Sequence, residues 1–278
     1  MLRAACLIVA TLLAACTSTQ SNRWQPRLHG DAIVLLGEVH DNAALHRLRL
    51  DALRKAFAAG WRPAIVMEQF DRERQVDIDR ARSERPNDAQ HVIDAAGGGG
   101  WEWRFYRPFV ELALRYDVPL IAANLSNADT TKIVRSGTAA AFDGAAIVAL
   151  GLDREVAADW QRGQEHEIDL GHCGALPASL WPRMARAQFA RDAVMAQALG
   201  DNAGRGAVLL AGNGHVRRDI GVARWLGGGI EPRRVVAIGF EEDGDDATPA
   251  LAFDAVVRAA AAVRADPCAG FAMPKAAG

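Results

Sequence analysis

Three apolar runs in this sequence end in residues able to do chemistry. Ile33-Val34-Leu35-Leu36 runs into Gly37-Glu38-Val39-His40, Ala64-Ile65-Val66-Met67 into Glu68, and Ala207-Val208-Leu209-Leu210-Ala211 into Gly212-Asn213-Gly214-His215. In an extended chain, residues two apart project to the same side, so Glu38 and His40 would leave their strand together. Ligands of open α/β sheets bind beyond the carboxyl ends of the strands, and the three runs could converge there. Two imidazoles and two carboxylates (Glu38, His40, Glu68, His215) form a donor set for Zn, Mn or Fe, and a metal-bound water would be a hydrolytic nucleophile. Each motif is short. Glu38 could equally cap a loop and His40 fill a turn, and the force of the pattern lies in its repetition at one structural position.

Such a set needs parallel strands to carry it. The runs at about 32–36, 64–67, 120–123, 207–211 and 235–239 are apolar throughout, as strands covered on both faces are. Between them lie helical patterns at about 42–59, 71–82, 109–116 and 216–226, the first with Leu45, Leu48, Ala52, Leu53 and Ala56 at helical spacing. The stretch 71–82 is dense in charge and reads as a solvated helix. Residues 126–203 read as helical with interruptions, 86–100 as a loop closing on four glycines, and 251–263 as a last strand and helix. The expected fold is therefore α/β, a mostly parallel sheet with helices on both faces and a helical insertion at about 126–203 between the third and fourth strands. One domain over 31–265 and a tail at 266–278 complete the expected organisation.

Two further stretches stand apart from the strand ends. Trp101-Glu102-Trp103-Arg104-Phe105-Tyr106 holds four aromatics in six residues, which either anchor a core or build a flat wall for a planar ligand. His166 and His172-Cys173 fall in one short segment, and Gly171 and Gly174 would let that backbone approach a ligand closely. The alternative is that these side chains are simply solvated.

The formal net charge of −2 gives no electrostatic case for nucleic-acid binding. The amino terminus is more telling: a brief basic start, an apolar run from Ala4 to Ala14 too short to span a bilayer, then Leu13-Ala14-Ala15-Cys16. It resembles a bacterial lipoprotein signal, with residues 1–15 removed, Cys16 lipidated and 16–30 a tether. A plain secretory signal is the other reading. The lipoprotein reading puts the chain in the cell envelope, with Thr17 after the cysteine leaning toward the outer membrane, facing the periplasm. Of four cysteines only Cys173 and Cys268 would then remain in an oxidising compartment, either joined in a disulfide or with Cys173 free as a ligand.

Gly37-Glu38-Val39-His40-Asp41-Asn42, Glu68-Gln69-Phe70-Asp71, Tyr106-Arg107-Pro108, Ala122-Ala123-Asn124, His172-Cys173-Gly174 and Gly212-Asn213-Gly214-His215 occur in order over about residues 30–240. Together they resemble the ChaN-like haem-binding uptake lipoproteins, a family whose superfamily includes the Tiki proteases, TraB-type proteins and erythromycin esterases. The resemblance implies an α/β domain that holds haem, as a cofacial pair shared by two subunits, and that works with haem-uptake receptor or transporter components. It implies a tyrosine axial ligand, for which Tyr106 beside Trp101 and Trp103 is the candidate, with His166, His172 or Cys173 as substitutes. The hydrolase branches of the superfamily imply the competing function, with Glu38 as general base in the Glu38, His40, Glu68 and His215 set. A periplasmic binding or scaffold lipoprotein is the third reading.

Overall fold

The computed structural model describes residues 24–227, 230–244, 248–249 and 251–270. Cys16 and its leader lie outside the described residues.

The apolar runs form a single six-stranded, all-parallel sheet in the order β3-β2-β4-β1-β5-β6. In chain order the elements are β1 (Ile33–Leu36), α1 (Ala43–Ala58), β2 (Ala64–Asp71), α2 (Gln75–Glu84), α3 (Ala89–Ala96), α4 (Trp103–Arg115) and β3 (Leu120–Asn124). Then come α5 (Asn127–Ser136), α6 (Gly144–Ala149), α7 (Ala158–Gly171), α8 (Trp181–Asp201), β4 (Ala207–Leu210), α9 (Asn213–Val216), β5 (Val235–Glu242) and β6 (Ala255–Ala259). Alternate residues of each strand face opposite layers. Val34, Leu36, Ile65, Met67, Val208 and Leu210 pack with Leu45, Leu53, Phe57, Phe109 and Val110 under α1 to α4. Ile33, Leu35, Val66, Ala207 and Leu209 pack with Phe189, Ala193, Met195, Trp160 and Trp225 under α5 to α8. The helices between β3 and β4 thus form the cover of one sheet face.

Three local expectations change. The stretch 86–100 contains α3, whose Ala89, Val92, Ile93 and Ala96 are buried at helical spacing and whose amino end is capped by Asp88 accepting from His91 N at 3.0 Å. The helix expected at 216–226 is only the single turn α9 followed by a 3-10 turn at Val222–Arg224, because Arg217 is extended and the chain folds back there. Among the described residues no helix follows β6. The described chain instead runs on to Cys268, held by Arg264 on Asp41 and Glu242 at 2.7 Å and by a disulfide from Cys173 to Cys268.

The topology places the site. Strand β4 lies between β1 and β2, with Ile33 opposite Ala207 and Ala64 also opposite Ala207. Glu38 and His215 follow the ends of β1 and β4, while Glu68 lies inside β2, which runs on to Asp71 instead of ending at Met67, one residue past the Met67–Leu210 pair; three adjacent strands thus bring these residues to one edge.

Candidate functional site

The loops after β1 and β4 interlock through two glycines. A Cβ on Gly37 would sit 2.0 Å from the Asn213 side-chain oxygen, and one on Gly212 would sit 3.2 Å from the His40 ring. At Gly37 a Cβ would displace Asn213, and at Gly212 it would press the His40 ring aside. Asn213 uses the proximity as a staple: its backbone N donates to the Glu38 carbonyl at 3.1 Å, and its amide brackets Phe240, donating to the carbonyl at 2.7 Å and accepting from the N–H at 3.1 Å. The two glycine-bearing motifs thus fix each other's position against β5.

Glu38 is buried at the centre of one polar network. Its Oε1 accepts from the Tyr106 hydroxyl at 2.7 Å, from Gln69 Nε2 at 3.4 Å, and faces His40 Nδ1 at 2.7 Å. Its Oε2 faces the fully buried Arg49 guanidinium at 2.5 Å, and the same Nη1 donates to the Gly37 carbonyl at 2.9 Å. Burial alone would raise the Glu38 pKa, but Arg49 and the histidines reverse this and hold it at about 2. Burial and the Glu38 charge push the Tyr106 phenol upward, so it stays protonated and donates. His46 is also buried, stacked on Phe105 at 4.7 Å, and burial with Arg49 nearby lowers it to about 4. It is neutral, with Nε2 at hydrogen-bond distance, 3.0 Å, from the His40 carbonyl.

A second network lies on the β2 and β4 side. Glu68 Oε2 accepts from Gly212 N at 2.8 Å, and its Oε1 stands 3.5 Å from His215 Nε2. The other ring nitrogen of His215 meets Asp192 of α8 at 2.6 Å. Burial opposes charge on this imidazole, but the two carboxylates outweigh it and push it to about 10, while burial raises Asp192 to about 6. At neutral pH His215 is an imidazolium clamped between two carboxylates.

Among the described residues no group of three or more His, Cys, Asp or Glu is disposed to hold a metal ion. The partners explain this departure from the expected Zn or Mn set. His215 is held at both ring nitrogens, by Asp192 at 2.6 Å and with Glu68 at 3.5 Å, and Glu38 is committed to Arg49, Tyr106 and His40. Glu38, His40, Glu68 and His215 do meet at one edge, but as two ion-paired networks.

The planar-ligand candidates separate. Trp101 stands edge-on to His40 at 5.1 Å and to Tyr106 at 5.5 Å, and it lines a cavity of about 250 Å³ with His40, Asp41, Gly100, Glu102 and Tyr106. Trp103 turns inward onto Phe70 at 5.0 Å. Tyr106 is fully buried, with its hydroxyl spent on Glu38, so it underlies the edge instead of facing out from it. His166 is exposed on α7, and His172 faces its own helix, with Nδ1 2.7 Å from the Ile168 carbonyl. Cys173 is corrected outright as a ligand: its sulfur is bonded to Cys268, so no thiolate remains.

Arg49, His46, Gln69 and Asp192 were not anticipated as site residues. The signal for two of them is in the sequence: Arg49 lies on the buried stripe of α1 with Leu45, Ala52, Leu53 and Ala56, and Asp192 on that of α8 with Phe189, Ala196 and Leu199. A charge inside an apolar stripe needs a buried partner.

The structure is similar to that of ChaN of Campylobacter jejuni, described with cofacial haem binding, at 18% identity and TM-score 0.66, over 82% of this chain and 87% of that one. It is more distantly similar to the type III effector HopBA1, at 14% identity and TM-score 0.44, over 82% and 88% of the respective chains. A search of curated proteins gave no match. The model of the family described as haem-binding uptake, Tiki superfamily, ChaN matches residues 25–226, a span that holds β1 to β4, both glycine-histidine motifs and every residue of the two networks. By that match the chain belongs to the ChaN haem-binding uptake family of the Tiki superfamily.

Proposed function

We propose that this protein is a haem-binding lipoprotein of the cell envelope that serves haem or iron uptake, anchored through Cys16 in the outer membrane, facing the periplasm, and working as a homodimer with uptake receptor or transporter components. The observation that carries the haem reading is the state of His40. Its side chain is 55% exposed while the carboxylate that orients it is fully buried. With Nδ1 held by Glu38, Nε2 lies beside Gly212 and has no hydrogen-bond partner among the described residues. Anchoring one ring nitrogen on a carboxylate fixes the imidazole and strengthens the other nitrogen as a ligand.

The site residues fit haem on this ground. His40 would hold the iron through an imidazole nitrogen, with Trp101 as the aromatic flank of the same cavity. Haem, when bound, would supply the iron that His40 ligates. Glu38, Arg49 and Tyr106 form the support beneath. The disulfide from Cys173 to Cys268 accords with an oxidising compartment, and Leu13-Ala14-Ala15-Cys16 with lipid attachment.

Titration of the purified protein with haemin tests the reading. The wild type is expected to give a saturable Soret shift, and His40→Ala to weaken it at least ~tenfold, about 1.4 kcal/mol. A wild type with no saturable shift overturns haem binding. Only the neutral imidazole can ligate, and Glu38 raises the His40 pKa from its ordinary value against the opposing effect of burial. Affinity should therefore fall as pH drops through that raised pKa, and the fall should disappear in His40→Ala.

A further inference from the structure

The helices between β3 and β4 border a cavity of about 430 Å³ that shares no lining residue with the one beside His40. Its wall combines Phe189 of α8 and Trp225 with two cations, Arg154 on the chain leading into α7 and Arg186 of α8. Small-molecule sites typically occupy roughly 300–1,000 Å³, with mostly apolar linings and a few placed polar groups. The charges on this wall are unmatched. Arg154 and Arg186 have no carboxylate partner among the described residues, although Asp153 and Glu155 flank Arg154 in sequence. Glu165, the carboxylate on the wall, accepts from Gln161 at 2.7 Å and leaves two guanidiniums against one acid.

The Arg154 guanidinium is held in place. It lies over the Trp225 ring at 4.1 Å and donates to the Arg224 carbonyl at 2.9 Å. Arg224 also lacks a carboxylate partner among the described residues, and it crowds Arg154: both guanidiniums lie over the Trp160 ring, at 4.9 and 5.4 Å. Burial and this like charge lower the Arg154 pKa from its ordinary value. The buried Trp225 indole N–H has no acceptor among the described residues, so the wall holds an unmet donor beside its unmatched cations. From this juxtaposition we infer that the cavity is a second binding site, which takes a small organic anion. Its carboxylate, sulfonate or phosphate group pairs with Arg154 and Arg186, and its apolar body lies against Leu152, Val156 and Phe189. The inference does not depend on the haem reading.

Two fluorescent probes with the same rings test it: 8-anilinonaphthalene-1-sulfonate, an anion, and N-phenyl-1-naphthylamine, which lacks the sulfonate. Wild type should bind the sulfonate saturably at one per chain and about tenfold more tightly than the uncharged amine. The Arg154→Gln/Arg186→Gln double variant should lose that preference by weakening the sulfonate alone. Arg186→Gln by itself should weaken the sulfonate with no change in melting temperature, since Arg186 is exposed. His40→Ala should bind both probes as wild type does. Equal wild-type affinity for the two probes, or unchanged sulfonate affinity in the double variant, overturns the anion site. Loss of sulfonate binding in His40→Ala overturns it as well, by moving the probe to the sheet edge.

Discussion

At the scale of single residues, the site is governed by how buried charges are matched. Arg49 sits wholly inside the protein, and Glu38 is its counter-ion, so the carboxylate that orients His40 is also what makes a buried guanidinium tolerable. The same logic holds at His215, whose folded pKa of about 10 lies well above the ordinary 6.5. A group raised in the folded state contributes stability that is fully present below its unfolded pKa and is lost as pH rises through the folded one. The difference in melting temperature between wild type and His215→Gln should therefore be largest near pH 6 and shrink as pH approaches 10. A gap that stays constant across that range would show that the imidazolium contributes nothing through its charge. Glu68, lowered by His215 despite burial, has the opposite window and loses its contribution as pH falls.

At the scale of elements, the site depends on pieces that meet from far apart in sequence. Helix α1 brings Arg49 and His46 beneath the β1 loop, α4 brings Tyr106, and α8 brings Asp192 to the β4 loop. The chain after β6 adds a strap: Asn42 donates to the Ala260 carbonyl at 2.9 Å, Arg264 clamps Asp41 and Glu242, and Cys268 ties the end of α7 through Cys173. That bond closes a sequence separation of 95 residues. Removing it by Cys173→Ser and Cys268→Ser, or by reduction, should cost roughly 2–4 kcal/mol of unfolding free energy, read as a lower urea midpoint. Identical midpoints for oxidised and reduced wild type would contradict a stabilising strap.

At the scale of the whole molecule, a sheet covered on both faces leaves its carboxyl edge as the open polar surface, and the candidate site lies there. The described helices include none long and apolar enough to cross a membrane, so the proposed membrane association rests on Cys16. In a bacterial host the wild-type protein should sediment with membranes and partition into detergent, and Cys16→Ser should appear in the soluble envelope fraction. Recovery of wild type and variant in the same soluble fraction would refute lipid anchoring.

The sequence by itself determined the parallel sheet and the meeting of Glu38, His40, Glu68 and His215. Strands apolar throughout must be covered on both faces, and parallel strands bring their carboxyl ends to one edge. It also contained the two glycines that let the β1 and β4 loops touch. What only the tertiary structure decided was the pairing. Whether Glu38 faces a metal or Arg49, whether His215 is a base or a clamped cation, and whether Cys173 is a ligand or a cross-link depend on which helix face lands on which strand end. Those contacts join residues as far apart as Glu68 and Gly212 or Cys173 and Cys268, and local spacing carries no record of them. Trp101 and Trp103 make the same point at short range: two residues apart, one lines the cavity beside His40 and the other packs on Phe70, because α4 begins between them and turns the second ring inward.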